Sequence, residues 1–206
     1  MIARVAPSRL VVLASGNGTN LQAVIDACSS GRLDAIVVGV GSDNAQAFAL
    51  HRAAEHGIPY AVVSSQKDEP RRDCDARLAV AVASWHPDLV ILAGFMRVLS
   101  IMFIAQFRDR IINLHPALPG QLPGINAIAR AYAEFEAGTR TSTGVMVHFV
   151  PDEGVDSGPV IATEIVAINN SDTLADLESR MHAAEHRVLI QAISTLITTQ
   201  QKETAS

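Results

Sequence analysis

The sequence predicts an α/β protein whose mostly parallel sheet is covered by helices on both faces and extended, near the C-terminus, by further strands and a long closing helix. Two observations support this prediction: strands alternate with helices over the first half of the chain, and those strands are almost continuously apolar. Strands without polar alternation are typical of parallel sheets that are buried on both faces. Ligands of such sheets bind beyond the carboxyl ends of the strands, so the loops there are the candidates for a site.

The first four elements follow from hydrophobic periodicity. Residues 9–14 form a short apolar run, typical of a buried strand, that ends in a glycine-rich turn. Apolar residues then recur at helical spacing over 19–28. The second strand is predicted over 35–40, and an alanine-rich stretch over 45–55 is predicted as the second helix.

The same alternation continues to the middle of the chain. A third strand over 60–63 precedes a helix over 70–84. The fourth strand, 88–93, is apolar after its first residue, and the fifth is predicted over 111–114. No helix is predicted between the fourth and fifth strands.

The last third has a different pattern. A helix over 125–137 is followed by two strands, 144–150 and 160–168, whose short connection indicates a hairpin-like extension rather than a second domain. A long closing helix is predicted from 173 to about 198, and the tail, 201–206, is expected to fray.

Length and composition are those of one globular domain spanning residues 1–206. The net charge of −5 and the pI near 5.8 argue against a surface for nucleic acid or an anionic membrane. No apolar stretch reaches the ~18 residues of a membrane span, and Cys28 and Cys74 lack the spacing of a metal site or redox pair. A cytoplasmic protein is therefore expected.

Polar residues that suit an acyl or formyl transfer stand at the end of the fifth strand and in a later loop. Asn113 and His115 are two apart, so their side chains point the same way from an extended strand end. Pro116 biases His115 toward extended geometry. Asn supplies a neutral donor to a developing oxyanion, His can change protonation near neutral pH, and Asp156 could hold that His charged.

The loop after the first strand, Ser15-Gly16-Asn17-Gly18-Thr19-Asn20, favours a phosphate group. Glycines let the backbone approach an anion, and the following helix presents its positive end. The loop lacks the Gly-Lys-Ser/Thr of a triphosphate-binding loop, and Leu21 replaces the third glycine of the dinucleotide fingerprint. Two alternatives stay open: a nicotinamide site, with Asp43 as the ribose-binding acid, and a tight turn without a ligand.

The segment after the fourth strand also allows two interpretations. Arg97 could be a satisfied surface residue beside core Phe95 and Met96. Alternatively, Phe95, Met96, Val98 and Leu99 wall a flat aromatic ring while Arg97 faces a carboxylate or offers a donor.

Three other polar residues have mainly structural interpretations. His148 alternates with apolar neighbours in a predicted strand, which favours a hydrogen-bonded structural histidine over a catalytic one. His182 and Glu185 are three apart in the closing helix, as in an exposed i, i+3 pair. No pairing such as HExxH is present, so no metal site is predicted.

Four motifs together resemble the phosphoribosylglycinamide formyltransferase family. They run in the right order from about Arg9 to Leu196: Ser15-Gly16-Asn17-Gly18-Thr19-Asn20-Leu21-Gln22, Ala93-Gly94-Phe95-Met96-Arg97-Val98-Leu99, Asn113-Leu114-His115-Pro116-Ala117-Leu118 with Pro123-Gly124, and Asp156-Ser157-Gly158-Pro159. The resemblance implies that a formyl group passes from 10-formyltetrahydrofolate, as co-substrate, to the primary amine of glycinamide ribonucleotide in de novo purine (IMP) biosynthesis. It also implies a Rossmann-like half, about 9–110, that binds the nucleotide phosphate, and a catalytic and folate-binding half, 111–200.

The same resemblance implies roles for individual residues. Asn113, His115 and Asp156 would be catalytic, and Glu185 would contact the ribose side of the substrate. The substrate phosphate would lie against Gly16, Asn17, Gly18, Thr19 and Asn20, and the folate against Arg71, Met96, Arg97, Val98, Leu99 and Asn113. Two departures from the family pattern, Pro119-Gly120-Gln121-Leu122 and Asn126, fall in the flexible loop after the His-Pro pair and leave the catalytic three untouched.

The chemistry of such a transfer gives each catalytic residue a task. Asn113 and a protonated His115 donate hydrogen bonds to the oxygen of the tetrahedral intermediate. Since the reference pKa of histidine, about 6.5, leaves the ring mostly neutral, Asp156 would have to raise it. Asp156 also assists proton transfer from the amine through a water.

Other functions share part of this pattern. A formyltetrahydrofolate hydrolase would use the same three residues but usually carries an N-terminal regulatory domain, for which no room is expected before Leu10. A methionyl-tRNA formyltransferase would need a C-terminal nucleic-acid module and a basic surface. A non-catalytic nucleotide-binding module would use only the first loop. The sequence leaves the oligomeric state open, although surplus apolar residues of the closing helix could serve a homodimer.

Overall fold

A computed structural model describes residues 6–204 of the protein, which form seven strands and six helices. The strands are β1 (Ser8–Leu13), β2 (Ala35–Ser42), β3 (Tyr60–Val62), β4 (Leu89–Leu92), β5 (Ile111–His115), β6 (Ser142–Phe149) and β7 (Val160–Ala167). The helices are α1 (Thr19–Ser29), α2 (Phe48–Glu55), α3 (Arg71–Ser84), α4 (Ile101–Gln106), α5 (Ala127–Glu136) and α6 (Leu174–Thr204).

The strands form one sheet in the order β3-β2-β1-β4-β5-β6-β7. Strands β1 to β5 pair in parallel, whereas β5 with β6 and β6 with β7 pair antiparallel. The prediction of a mostly parallel sheet with a C-terminal strand extension is therefore confirmed. The chain leaves β1 toward β2 on one side and returns to β4 on the other, so a crevice opens at the carboxyl ends of β1 and β4.

Helices cover both faces of the sheet, and strand β1 shows how. Its alternate residues Leu10 and Val12 belong to one core cluster, which contains apolar side chains of α1, α2 and α6. Val11 and Leu13 belong to a second cluster with those of α3 and α4. All four are 0% exposed, which explains why the strand sequence shows no polar alternation.

The closing helix α6 supplies much of the first cluster. Its buried apolar side chains are Leu177, Met181, Val188, Leu189 and Ile193. These residues pack within the chain as part of the first core cluster.

Most element boundaries lie within two residues of the sequence prediction, and three differences are larger. Helix α4 was not predicted, because it is short and its first amides are satisfied by distant carboxylates, with Asp75 accepting from Ser100 N and Glu153 from Ile101 N, both at 2.7 Å. Helix α2 begins at Phe48 rather than residue 45, since the Asn44 side chain accepts from Gln46 N at 2.9 Å and holds a turn there.

The third difference concerns the C-terminus. Helix α6 continues to Thr204, beyond the predicted end near 198. The prediction that the tail frays from residue 201 is therefore wrong for residues 201–204. Residues 205 and 206 lie outside the described range. Between residues 6 and 204, no helix combines the length and the apolar character needed to cross a membrane.

Candidate active site

A cavity of about 370 Å³ lies at the carboxyl ends of the central strands. Its walls come from the loop after β4, the end of β5, the 117–126 loop, the 151–158 loop and one residue each from α1 and α6. The predicted site residues that line it are Asn20, Met96, Arg97, Val98, Leu99, Asn113, His115, Asp156 and Glu185. The fold therefore brings together residues from both halves of the chain.

Strand β5 aims two of the predicted catalytic residues into this cavity. Ile112 and Leu114 pack into the first core cluster, and the period of two along a strand turns Asn113 and His115 to the other side. The His115 side chain is only 5% exposed. The central strand therefore gives fixed positions to a buried His115 and a half-buried Asn113.

Asp156 reaches the same point from the 151–158 loop. Its Oδ1 lies 3.0 Å from Asn113 Nδ2, and its Oδ2 lies 3.3 Å from His115 Nδ1 and accepts from the Gly124 amide at 2.8 Å. The backbone of Asp156 has φ of 52°, a left-handed conformation that costs a non-glycine residue energy. The three contacts offset this strain and fix the carboxylate between the two β5 residues.

These contacts also determine the charge of Asp156. Burial by itself would raise the pKa of this carboxyl group. The nearby His148 ring, the hydrogen bond from the Gly124 amide and attraction to His115 outweigh burial and lower the pKa below its ordinary value. Asp156 is therefore ionised at neutral pH and able to accept a proton.

His115 has an acceptor beside each ring nitrogen. Its Nε2 lies 3.1 Å from the Leu122 carbonyl oxygen, so Nε2 must carry a proton, and Nδ1 faces Asp156. Burial lowers the pKa of His115, and Asp156 and the Leu122 carbonyl only partly offset this effect. Asp156 does raise the pKa of His115, as expected, but loss of hydration has the larger effect on the buried ring, so the pKa lies below its ordinary value.

His148 is a member of the site that the sequence interpretation treated as mainly structural. It lies on β6 opposite Asn113, is 2% exposed, and places Nδ1 at 2.8 Å from the Phe149 carbonyl oxygen. Nδ1 must therefore carry the proton, which leaves Nε2 as an acceptor for Asn113 Nδ2 at 3.1 Å. The cross-strand register that pairs these residues was the missing signal, because it links positions 35 apart in sequence.

The tautomer of His148 determines the orientation of Asn113. With Nε2 of His148 and the carboxylate of Asp156 both accepting, the two hydrogens of the Asn113 amide point at these groups. Asn113 can donate to a substrate oxygen when one of these two bonds is exchanged. His148 and Asp156 thus fix the orientation of the Asn113 amide.

The loop between β1 and α1 has the geometry of an anion site. Gly18 has φ of 76°, and a Cβ there would lie 2.8 Å from Ala49, so only glycine fits. No side chain caps α1, which leaves its positive end open to an anion. Asp43, the ribose-binding acid of the nicotinamide alternative, instead accepts from Ser15 Oγ at 2.6 Å.

Asn20 and Glu185 form a polar pair at the edge of this loop. Asn20 Nδ2 donates to Glu185 Oε2 at 3.0 Å, and both residues line the cavity. Glu185 is 6% exposed, so the alternative of an exposed pair with His182 does not apply to it. Burial raises the pKa of Glu185, against the opposing effects of Asn20 and His182.

We expect Glu185→Gln to stabilise the protein at neutral pH. A carboxyl group whose pKa is higher in the folded state makes that state bind protons more readily, so wild-type stability falls as pH rises above 4.5. Glutamine keeps the hydrogen bond to Asn20 and has no titratable group. Thermal unfolding from pH 4 to pH 8 should show a stability gain in the variant that grows with pH, and an equal difference at every pH would contradict this account.

The segment after β4 supplies an apolar rim. Met96 and Val98 are 62% and 41% exposed, whereas Leu99 is buried. The Arg97 guanidinium turns away from the cavity and pairs with Asp75 of α3, so Arg97 is neither a surface residue nor free to meet a ligand carboxylate. Arg71 is absent from the cavity lining and pairs with Glu153 at the rim.

Comparison with known proteins links this geometry to one group of enzymes. Residues 8–193 match the family described as formyl transferase. Phosphoribosylglycinamide formyltransferase of Dictyostelium discoideum is 41% identical over 92% of this chain and 98% of its own length, and that of Escherichia coli is 38% identical over 90% and 85%.

Solved structures agree with this likeness. The phosphoribosylglycinamide formyltransferase from Bacillus halodurans superposes with a TM-score of 0.86 at 32% identity, over 92% of this chain and 95% of that one. The Symbiobacterium toebii glycinamide ribonucleotide transformylase 1 gives a TM-score of 0.86 at 38% identity, over 94% and 89%.

Proposed function

Since the chain belongs to the phosphoribosylglycinamide formyltransferase family, we propose that it transfers the formyl group of 10-formyltetrahydrofolate to the primary amine of glycinamide ribonucleotide in purine biosynthesis. The observation that carries this proposal is the contact of Asn113, His115 and Asp156 in one cavity between an anion loop and an apolar rim. We further propose a cytoplasmic setting, in keeping with free Cys28 and Cys74.

The three residues suit each step of the transfer. The amine nitrogen attacks the formyl carbon, a C–N bond forms, and the carbonyl oxygen becomes an anion. Asn113 and a protonated His115 donate to that oxygen, each after exchanging one of its present hydrogen bonds. Losing one such donor typically raises a barrier by about 3 kcal/mol. Ionised Asp156 accepts the proton of the new ammonium through a water. As the oxyanion returns to a carbonyl and the C–N bond to the folate breaks, Asp156 passes this proton through the water to the leaving folate nitrogen, which restores the starting charges.

Asp156 and the developing oxyanion act together against the low pKa of His115 in this scheme. The carboxylate at 3.3 Å favours a proton on Nδ1, and a developing oxyanion favours the same charge. A cationic ring is therefore best stabilised when the tetrahedral intermediate forms. This is stabilisation of the transition state more than of the bound substrates.

The ribonucleotide fits the end of the cavity nearest α1. We propose that Gly16, Asn17, Gly18, Thr19 and Asn20 bind its phosphate through backbone amides and the helix N-terminus. Glu185, held by Asn20, then accepts from the ribose hydroxyls. The single continuous sheet, which joins this half to the catalytic half, supports one domain for both tasks.

Arg52 gives this end of the site a test. Its Nε donates to the Asn17 carbonyl oxygen and its Nη2 to Asn17 Oδ1, both at 2.9 Å. Arg52→Lys keeps the charge but cannot make both bonds, so we expect the KM for the ribonucleotide to rise about tenfold. The KM for the folate should be unchanged, and Arg108→Lys, at an exposed position between α4 and β5, is the control. Equal effects on both KM values would contradict a role confined to the phosphate loop.

The formyl donor fits the apolar rim. We propose that Met96, Val98 and Leu99 contact the folate ring system, with Arg97 contributing through its backbone, and that Arg71 meets the carboxylate tail. The ion pair with Glu153 holds the Arg71 charge at the rim. A folate carboxylate can replace the Glu153 carboxylate there without leaving this charge unpaired.

The test of this function follows consumption of 10-formyltetrahydrofolate by absorbance, with and without glycinamide ribonucleotide. Consumption that requires the ribonucleotide is expected. Consumption without it would mean a formyltetrahydrofolate hydrolase on the same scaffold. No consumption in either case, with ribonucleotide still bound, would leave a binding module and overturn the proposal.

A further inference from the structure

Asp75 is a buried charged residue that the transfer chemistry does not use. It lies on α3, is 0% exposed, and is absent from the cavity lining. A carboxylate taken out of water needs partners that supply charge and hydrogen bonds. Its partners identify its task.

Both oxygens of Asp75 bind the same segment, residues 95–100, which we call the donor loop. Oδ1 accepts from the Arg97 guanidinium, and Oδ2 accepts from the Ser100 amide at 2.7 Å. One carboxylate therefore holds the middle and the end of the loop that carries the apolar rim.

Two further hydrogen bonds attach the donor loop to neighbouring segments. Arg97 Nη1 donates to the Val63 carbonyl oxygen at 3.1 Å, and the Met96 amide donates to Ser15 Oγ at 2.9 Å. Phe95 and Leu99 are buried, so these attachments leave Met96 and Val98 as the side chains that face outward at the cavity mouth.

The energetics of this pair favour positioning over stability. Removing two charges from water costs about as much as their attraction returns, so a buried ion pair adds little to stability beyond an apolar pair of equal volume. The Asp75–Arg97 pair also leaves Arg97 Nε buried without a hydrogen-bond partner. An apolar pair could not bind the Ser100 amide and the Arg97 guanidinium to one carboxylate, as Asp75 does.

We propose that Asp75 is a positioning residue for the formyl donor: it fixes the donor loop so that the apolar rim is formed before the folate binds. This inference rests on the proposed function for the identity of the ligand. A preformed wall reduces the ordering cost of binding, so loss of Asp75 weakens donor binding while leaving the reacting groups intact.

The experiment compares Asp75→Asn with Asp172→Asn. Asparagine keeps the shape of Asp75 but loses the charge and one acceptor, whereas Asp172 pairs with Arg180 at the start of α6, away from the donor loop. For Asp75→Asn we expect the KM for 10-formyltetrahydrofolate to rise about tenfold, with the ribonucleotide KM and kcat at saturating donor within about twofold. Asp172→Asn should lower the melting temperature and leave all three parameters unchanged.

Hydrogen exchange of the protein alone tests the attachment independently of activity. The Met96 and Ser100 amides should exchange about tenfold faster in Asp75→Asn than in Asp172→Asn. Unchanged exchange would overturn the attachment, and faster exchange with an unchanged donor KM would overturn the positioning role. A wild-type protein without formyl transfer would refute the proposed function, while exchange would still decide whether Asp75 holds the loop.

A double variant covers the case in which Asp75→Asn does not fold. Asp75→Leu with Arg97→Met replaces the ion pair by apolar side chains and should keep the protein folded. It should still show rapid exchange of the Ser100 amide and a raised donor KM. A folded double variant with wild-type values for both would overturn the proposal.

Discussion

Asp156→Asn is expected to lower kcat by about a thousandfold or more. The carboxylate accepts from Asn113 and Gly124 and lies beside His115, so it has donors on every side. Asparagine removes the negative charge that favours a protonated His115. Its side-chain NH2 group would also face one of the groups that donate to the carboxylate in the wild type, so a hydrogen bond is lost. It also removes the base that takes the proton of the attacking amine. The variant therefore loses, at once, the charge beside His115, an acceptor for Asn113 and the base.

The ribonucleotide should still bind to this variant. Within residues 6–204, none of the hydrogen bonds of Asp156 involves the Gly16–Asn20 loop. Calorimetric titration with the ribonucleotide should therefore give a Kd within a few fold of the wild-type value. Asp34→Asn is the matched control, because Asp34 is an exposed carboxylate between α1 and β2, outside the cavity lining. Unchanged turnover in Asp156→Asn would refute its role in catalysis.

His115→Ala is expected to have the second largest effect, a loss of about 10²- to 10⁴-fold in kcat. In the proposed mechanism the ring is the charged donor to the oxyanion, and in the free protein its two nitrogens connect Asp156 with the Leu122 carbonyl oxygen. Alanine therefore removes a donor and releases a strained loop, since Leu122 has φ of 45°. The 117–126 loop should become more mobile as a result.

Binding measurements separate catalysis from substrate recognition at this position. Ribonucleotide affinity should be nearly that of wild type, because the phosphate loop lies on another strand end. His51→Ala is the control: His51 is exposed on α2 and pairs with Glu55. If His115→Ala abolishes ribonucleotide binding in a protein that keeps its melting temperature, His115 is a binding residue instead.

The sequence by itself determined the architecture and much of the candidate site. Apolar runs such as 9–14 predict buried parallel strands because only a strand covered on both faces has no polar side. The abrupt change from Ile112 to Asn113 and His115 marks a strand end with two side chains on one side. These are local patterns, and local physics is sufficient to interpret them.

Tertiary structure alone decided which polar groups meet. Asn113 and His148 are 35 residues apart, Arg97 and Asp75 are 22 apart, and each pair forms only because the sheet and α3 bring them together. The low pKa of His115 likewise reflects burial, which no local pattern specifies. Contacts between distant residues and the loss of water around them arise from packing, so the roles of His148, Asp75 and the charge state of His115 become visible only in the folded molecule.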